Sequence, residues 1–286
     1  MLYLLASILS SASIYVVFRI AKNFTGKLYW LITINYFVAT VLGFAFLLKL
    51  NLNAFLQNNS WIPSGIALGI LFILMFFLLG TSSQKAGISV TTLANKLSLV
   101  FPVLFSLVYF NEEITVLKYA GLISAFIAVL LTIYKKDVQK TKFEYIALPL
   151  LIFFGSGIID SLIKYIQATQ ISISQATVFT TFVFFVAFIL GTVITVFKKN
   201  TAKELLYPPT LFLGTLLGLV NFGSLFFIIN ALNKTNLESS LVFALNNMSV
   251  VALSAILGAF LFKEKLNKFN LAGIVLAIFS LYILLR

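Results

Sequence analysis

The sequence contains no cysteine and no histidine, and only 8 of its 286 residues are acidic. Without cysteine there are no disulfides and no thiolate chemistry, and without histidine there is no imidazole base, metal ligand or haem ligand. No glycine-rich loop precedes a helix in the P-loop pattern, so a nucleotide-driven pump is not encoded. Glu112-Glu113 is an adjacent acidic pair in a loop, but no second acidic cluster accompanies it to hold Mg²⁺ beside a pyrophosphate. We therefore expect no metal, no cofactor and no catalytic residues.

Charge of either sign is also scarce. Charged residues make up 10% of the chain, hydrophobic residues 61%, and the mean hydropathy is +1.08. A soluble domain has about 45–50% apolar and about 25% charged residues, so these proportions indicate a protein surrounded by lipid. The formal charge is +12, but the basic residues lie mainly in short connections between apolar runs. They indicate membrane orientation and contact with anionic lipid headgroups rather than nucleic-acid binding.

Ten apolar runs approach the length of about 20 residues that a bilayer-spanning helix needs. They are too long for barrel strands and lack the alternation of barrel strands. The runs are Leu2–Ile20, Leu28–Leu48, Trp61–Leu79, Ile88–Phe110, Val116–Tyr134, Phe143–Ala168, Ser174–Phe197, Thr210–Ala231, Leu237–Phe262 and Phe269–Leu285. We expect the first run to remain as a span, because no basic segment precedes it as in a signal peptide.

One stretch occurs twice, over Ile88–Leu131 and again over Ser240–Ile283, at an offset of 264 − 112 = 152 residues. The coinciding pairs are Val90/Val242, Leu93/Leu245, Asn95/Asn247, Phe110/Phe262, Glu112/Glu264, Ala120/Ala272, Gly121/Gly273 and Ala125/Ala277. Each copy reads as an apolar helix, an acidic turn and a second apolar helix. A repeat of this length indicates a duplicated architecture.

The repeat divides the chain into a five-helix unit over 1–134, a linker over 135–142 and a second five-helix unit over 143–286. Five is odd, so the second unit enters the membrane from the side opposite to the first. The sequence therefore predicts an all-α membrane protein of ten transmembrane helices in two inverted five-helix repeats.

The distribution of basic residues predicts the orientation. Connections 2, 4, 6 and 8 hold only Lys49, Lys118 and Lys234. Connections 1, 3, 5, 7 and 9 hold Arg19, Lys22, Lys27, Lys85, Lys135, Lys136, Lys140, Lys142, Lys198, Lys199, Lys203, Lys263, Lys265 and Lys268. This bias places the odd-numbered connections in the cytoplasm and both termini outside.

The repeated unit also carries a local pattern: an apolar helix with a mid-helix proline, Pro102, then a turn glutamate, then a glycine in the next helix. Glu112 with Gly121 and Glu264 with Gly273 fit it. With ten spans in two sets of five, the whole chain resembles the drug/metabolite transporter superfamily, in its EamA-like branch. The sequence departs from the pattern at Ser254, which replaces the second proline, and in turns reading Asn-Glu-Glu and Lys-Glu-Lys instead of Gly-Glu.

The resemblance implies export or exchange of small metabolites, amino acids or drugs by alternating access. It also implies a central cavity between the two halves, lined largely by helices 1, 3, 4, 6, 8 and 9. Members of the superfamily are drawn with cytoplasmic termini, so the resemblance and the basic residues give opposite orientations.

Three ionisable side chains lie inside predicted spans: Lys96, Asp160 and, one turn later on the same face, Lys164. A charge at a helix centre costs about 2.5–3.5 kcal/mol, so such groups usually face protein or water. We expect Lys96 to meet an anionic group in the cavity, and Asp160 to bind an amine or carry a coupling proton. The alternatives are that Asp160 pairs only with Lys164 and that Lys96 extends toward a membrane interface.

Amide side chains form a second set of candidates. Asn95 and Asn247 occupy matching repeat positions, with Asn246 beside the latter, so they would line the site from both halves. The alternative is interhelical hydrogen bonding, the commoner role of a single asparagine. Second-tier cavity candidates are Ser11, Ser13, Tyr15, Asn221 and Asn230.

The remaining polar positions are expected to be structural. Glu112 and Glu264 would accept free N–H groups at the start of the helix that follows each turn. Gly121 and Gly273 would allow close helix approach. We expect Arg19 to anchor at the interface and Gln84 to be solvated in a connection.

Together these features predict a secondary transporter of the cell (plasma or inner) membrane, as a monomer or homodimer, with a small-molecule substrate and membrane lipids as partners. The alternative is an intramembrane enzyme acting on a lipid-linked substrate, which the lack of His, Cys and clustered acids disfavours.

Overall fold

The chain folds into α-helices over the part that the computed structural model describes, residues 2–24, 28–47, 60–109, 115–133, 144–172, 175–197, 207–234 and 239–284. These ranges contain no strand. The helices are α1 (Leu2–Phe24), α2 (Leu28–Leu47), α3 (Ile62–Lys85), α4 (Ile88–Leu97), α5 (Val100–Tyr109), α6 (Val116–Ile133), α7 (Glu144–Thr169), α8 (Ala176–Phe197), α9 (Pro208–Lys234), α10 (Ser239–Phe262) and α11 (Lys268–Leu284). Glu112 and the linker Lys135–Lys142 lie outside the described residues.

Eight segments of the described chain are long and apolar enough to cross a membrane, and α4 and α5 together contribute one of them. Two shorter apolar segments lie within α6 and α11. The exposed large hydrophobic side chains on these helices are Leu, Ile, Val, Phe and Tyr, which suits contact with lipid. The sequence-based expectation of an all-α, multi-pass membrane protein is confirmed at this level.

Several helices extend beyond the predicted spans. α1 continues four residues past Ile20 to Phe24, and α3 continues six residues past Leu79 to Lys85. Gln84 therefore lies inside a helix, where its side-chain amide donates to the carbonyl of Phe18 at 3.1 Å. The expectation that Gln84 is solvated in a connection was wrong.

The fourth predicted span is not one continuous helix, which corrects the prediction for Ile88–Phe110. α4 ends at Leu97 and α5 begins at Val100. Pro102 has no N–H, so the carbonyl of Ser98 loses its usual donor and accepts instead from Phe101 N at 2.9 Å. Non-helical backbone at membrane depth is tolerated where it is buried in protein or lines a cavity.

The matching helix of the second copy, α10, is uninterrupted. Ser254 stands at the position that corresponds to Pro102 and, unlike proline, keeps its backbone N–H. α10 accordingly has no break at Ser254. Its hydroxyl is fully buried and has no hydrogen-bond partner in the described structure.

Helices from the two ends of the sequence pack against one another. α9 packs along α1 and α2, α8 along α2 and α3, and α7 along α3 and α4. α10 contacts α1, α4 and α11, while α6 and α11 form a pair of their own. A Cβ at Gly273 of α11 would lie 2.9 Å from the backbone nitrogen of Thr132 in α6, so this glycine sits at the close approach expected of it. Gly121 is buried in α6.

The helix ends gather at two opposite ends of the bundle. At one, which we call the Glu264 end, α1 and α3 finish, α4 begins, and the turn between α10 and α11 carries Glu264. At the other, the Trp61 end, Trp61 before α3 packs edge-on against Phe179 and Phe182 near the start of α8, with ring centroids 5.6 and 5.3 Å apart.

Candidate functional site

A cavity of about 520 Å³ lies inside the bundle, bounded by α1, the α4–α5 break, α7, α9 and α10. This volume is within the usual range of about 300–1,000 Å³ for small-molecule sites. Its lining combines charged, amide, hydroxyl and apolar side chains. The lining residues are Ser7, Ser11, Asn95, Lys96, Leu99, Pro102, Asp160, Ile163, Lys164, Ser224, Leu225, Ile228, Asn246 and Asn247.

The charged side of the cavity is formed where α4 breaks beside α7. Lys96 occupies the last turn of α4, and Asp160 and Lys164 lie one turn apart on α7. The Ser98 hydroxyl, at the break itself, lies 3.0 Å from Asp160 Oδ2 and 2.6 Å from the carbonyl oxygen of Asn95. Lys96 and Asp160 are close enough to interact electrostatically. The hydrogen bond of Asp160 thus runs across helices to Ser98, not along α7 to Lys164.

Asn95 joins three helices at the base of this side. Its Nδ2 donates to the hydroxyl of Tyr15 on α1 at 2.6 Å. Its Oδ1 accepts from the hydroxyl of Ser156 on α7, also at 2.6 Å. Both amide groups are therefore used within the protein, which fixes the orientation of the side chain. Asn95 lines the cavity and also makes the interhelical bonds that were its alternative role.

The opposite side of the cavity is uncharged and polar. The hydroxyl of Ser7 on α1 lies 3.0 Å from Asn246 Oδ1 on α10 and 3.2 Å from the carbonyl oxygen of Ser224 on α9. Asn246 and Asn247 are buried at 5% and 9% exposure, yet both border the cavity. The cavity thus has charges on one side and amides on the other, and its apolar lining residues are Leu99, Ile163, Leu225 and Ile228.

Most of the predicted site residues meet in this cavity, and four do not line it. The hydroxyl of Ser13 donates to the carbonyl of Leu9 in its own helix at 2.7 Å. Tyr15 is buried at 3% exposure and reaches the cavity only through Asn95. The side-chain amides of Asn221 on α9 and Asn35 on α2 lie 3.2 Å apart. Asn230 donates to the carbonyl of Phe226 in its own helix at 2.8 Å. Asn221 and Asn230 therefore serve helix packing and helix geometry.

Glu264 caps a different helix from the one that the sequence predicted. Its carboxylate does not cap α11, the helix after its turn; it accepts from Ile88 N at 2.6 Å, at the start of α4. The start of α11 is capped by asparagines, since Asn270 N donates to Asn267 Oδ1 at 2.8 Å and Asn267 N donates to Asn270 Oδ1 at 3.0 Å.

Arg19, expected at a membrane interface, donates to the carbonyls of Ser83 and Gln84 at the end of α3. Its guanidinium lies 6.0 Å from the ring centroid of Phe262 at the end of α10. Arg19 thus connects helices at the Glu264 end of the bundle.

Sequence reasoning missed four serines of the site: Ser7, Ser98, Ser156 and Ser224. Three of them had a detectable signal. Ser7 and Ser156 lie one turn before Ser11 and Asp160 on the same helix faces. Ser98 lies four residues before Pro102, the position whose carbonyl a proline leaves without a donor. Within the described residues, no group of three or more Asp, Glu, His or Cys side chains is placed to hold a metal ion.

Comparisons with known proteins found similarities that extend over nearly the whole chain. No protein-family model matches it. A protein of Haemophilus influenzae, named "Uncharacterized protein", is 31% identical over 291 residues, covering 98% of this chain and 97% of the relative. A solved structure described as "Crystal structure of protein" covers 97% of this chain and 96% of its own, with a TM-score of 0.58 and 15% identity. At that identity the likeness establishes a shared fold alone.

Proposed function

We propose that this chain, which belongs to the same family as the Haemophilus influenzae protein, is a secondary transporter that moves a small polar solute by alternating access. The observation that carries the proposal is the cavity at the α4–α5 break, where charged and amide side chains from both halves of a membrane bundle converge. Interrupted helices that expose polar groups at membrane depth are the usual binding sites of secondary transporters. The family is, in this proposal, part of the EamA-like branch of the drug/metabolite transporter superfamily, located in the cell's inner membrane.

The pairing of helices supports two inverted five-helix repeats. If α1 corresponds to α7, α2 to α8, α3 to α9, α4–α5 to α10 and α6 to α11, each of the larger contacts between the two halves has a counterpart. The α1–α9 contact corresponds to α7–α3, α2–α9 to α8–α3, and α1–α10 to α7–α4. The contacts α2–α8, α4–α10 and α6–α11 each correspond to themselves. This exchange of neighbours is expected of two units related by a two-fold axis in the membrane plane.

The chemistry of the lining favours a zwitterionic substrate such as an amino acid. A carboxylate would be attracted by Lys96 and Lys164, and an ammonium by Asp160, all on the α4–α7 side. Asn246 and Asn247 would hydrogen-bond the polar groups on the far side. Leu225, Ile228 and Ile163 would contact an apolar side chain, since ligand sites combine apolar walls with a few convergent polar groups.

Asp160 is the candidate for a coupling proton. The Ser98 hydroxyl has one hydrogen and lies near two acceptors, with the Asn95 carbonyl the closer, at 2.6 Å against 3.0 Å for Asp160 Oδ2. When Ser98 donates to Asn95, Asp160 can bond to Ser98 only as a protonated carboxyl that donates. When Asp160 is ionised, the hydroxyl can turn to it and release the Asn95 carbonyl. A proton on Asp160 would thus change the hydrogen bonding of the helix break.

Transport in proteoliposomes tests the function. We expect purified protein to take up radiolabelled neutral amino acids faster than protein-free vesicles do, and an imposed pH gradient to accelerate the uptake. Asp160→Asn, which keeps the size of the side chain but not the titration, should remove the response to the gradient. Asn230→Ala, in α9 outside the cavity, is the control and should behave like the unaltered protein.

Two results would count against this account. Uptake no faster than in protein-free vesicles, across the neutral amino acids and other small zwitterions, would contradict the substrate class. An undiminished response to the pH gradient in Asp160→Asn would remove Asp160 from the coupling.

A further inference from the structure

We propose that Glu264 is a gate residue: its carboxylate closes the transport pathway at the Glu264 end, and its contact with the first turn of α4 breaks when the cavity opens there. We call this contact, between Glu264 and the backbone at Ile88 and Ser89, the gate contact. The proposal rests on the proposed transporter function, because it assigns the residue that controls access to the same cavity.

The gate contact joins parts of the chain that are distant in sequence. Glu264 Oε1 accepts from Ile88 N at 2.6 Å, and Oε2 accepts from Ser89 N at 3.2 Å and from the Ser89 hydroxyl at 2.8 Å. A carboxylate is favourable at a helix N-terminus, where backbone N–H groups lack partners and the helix dipole is positive. A single side chain of the second half therefore holds the first turn of a helix in the first half.

The surrounding backbone leaves room for this carboxylate. A Cβ at Gly87 would lie 2.7 Å from Glu264 Oε1, and a Cβ at Gly258 would lie 2.6 Å from Oε2. Gly87 has φ +109° and Lys263, just before the glutamate, has φ +51°, so both adopt a left-handed backbone. Glu264 N donates to the carbonyl of Gly258 at 3.0 Å, which fixes the turn. The Glu264 carboxylate thus lies against two glycines, Gly87 and Gly258, and the strained residue Lys263 precedes it in the turn.

The cavity lies away from the gate contact, in the half of the bundle toward the Trp61 end. Ser7 and Ser11 belong to the first part of α1, whereas Arg19, at the Glu264 end, belongs to its last part. Asn246 and Asn247 belong to the first part of α10, and Glu264 lies two residues after its end. Phe18, Leu93 and Val250, on the intervening turns of α1, α4 and α10, have 0–1% exposure. Buried side chains therefore close the path between the cavity and the Glu264 end.

α4 connects the gate contact to the cavity. It has ten residues and a length of about 15 Å, with Ile88 at the gate contact and Lys96 at the cavity. The break after Leu97 separates it from α5, so α4 can tilt without carrying α5 with it. A solute that binds Lys96 acts on one end of a short rigid helix whose other end Glu264 holds.

The absence of cysteine makes the test direct, because an introduced thiol is unique in the protein. Ser11→Cys places a thiol in the cavity lining. Vesicles prepared in the two opposite orientations expose one end of the bundle or the other to an added reagent. A membrane-impermeant maleimide should label Ser11→Cys readily when the Trp61 end is exposed and only slowly when the Glu264 end is exposed. Adding Glu264→Ala should raise labelling from the Glu264 side about tenfold, the change that a loss of about 1.4 kcal/mol from the closed state produces.

Graded variants make the result specific. Glu264→Gln keeps an acceptor for Ile88 N but loses the charge, and Ser89→Ala removes only the hydroxyl donor, so both should give smaller increases. Lys265→Ala, an exposed neighbour in the same turn, is the matched control and should change nothing. Thermal unfolding of each variant in detergent reports whether it is folded, and if Glu264→Ala is not, the other two variants carry the test.

Labelling from the Glu264 side that is unchanged in the folded variants, or raised equally by Lys265→Ala, would overturn the gate assignment. The same measurements distinguish a failure of the gate assignment from a failure of the proposed transporter function. If no solute is transported but the Glu264 variants still expose Ser11→Cys from the second side, the gate stands and the transporter assignment fails. If transport occurs and labelling is insensitive to Glu264, only the gate assignment fails.

Discussion

The interaction of Lys96 with Asp160 is the residue-scale feature on which the site depends. Each charge lies at membrane depth on a different helix, and each is partly buried beside the cavity. An isolated charge in such a place is costly, and an opposite charge nearby reduces that cost. We therefore expect this attraction to favour the packing of α4 on α7, and in the proposed transporter a zwitterionic solute would replace either partner.

This account predicts that the two charges are coupled in stability. Lys96→Met and Asp160→Asn should each lower the free energy of unfolding by about 1–3 kcal/mol, less than a fully buried pair because the cavity admits water. The double variant should lose less than the sum of the two, since neither charge is left alone. Thermal unfolding in detergent measures all three, and strictly additive losses would show that Lys96 and Asp160 are not partners.

At this scale the sequence identified which residues matter better than it identified their partners. Lys96, Asp160 and Asn95 are detectable because polar groups are rare inside apolar runs. The protein partner considered for Asp160 as the alternative was Lys164, one turn away, whereas the structure gives it Ser98 on another helix. Glu264 likewise contacts residues 175 and 176 positions away. Spacing along one helix predicts neighbours on that helix and carries no information on contacts between helices.

At the scale of elements, the two repeat copies differ where the site is built. The first copy is broken between α4 and α5, whereas α10 runs without interruption through the corresponding position. The difference follows from one residue, because Pro102 cannot donate to the carbonyl of Ser98 and Ser254 retains its N–H. The first copy supplies the break and Lys96, and the second supplies a continuous wall with two amides.

Pro102→Ala should therefore join α4 and α5. The new N–H can donate to Ser98, and removing an interior proline stabilises a helix by up to about 3 kcal/mol. We expect a higher melting temperature together with a lower initial rate of transport, because α4 could no longer move independently of α5. Pro209→Ala, in the first turn of α9 where a proline breaks no hydrogen bond, is the control. A faster or unchanged rate in Pro102→Ala would contradict the role of the break.

The helices themselves were predicted well, because apolar length determines them, and the break was not. Pro102 was visible in the sequence, yet a proline in a membrane helix can be accommodated by a kink or by a break. The outcome depends on which groups take over the freed carbonyls. Here Phe101 N and the Ser98 hydroxyl do so, and they bond within the same turn. Only the packed structure shows that these bonds replace the regular ones.

At the scale of the whole molecule, the account requires two five-helix units of opposite orientation that enclose one cavity. The larger helix contacts between the units exchange partners as such a relation predicts, and the cavity receives residues from both units. The distribution of basic residues predicts that the linker and the Glu264 end lie in the cytoplasm. In that orientation the structure is closed to the cytoplasm, and the cavity lies toward the outside.

The orientation of the two units is the claim that the rest depends on, and thiol labelling in intact cells measures it directly. Asn53→Cys lies in the predicted second connection and Gln139→Cys in the linker, with three predicted spans between them. We predict that an impermeant maleimide labels Asn53→Cys in intact cells and reaches Gln139→Cys only after the membrane is permeabilised. If Gln139→Cys is labelled in intact cells and Asn53→Cys only after permeabilisation, the predicted orientation is reversed but the inverted repeat is not contradicted. Labelling of both positions from one side would contradict the inverted repeat and with it the transport pathway between the halves.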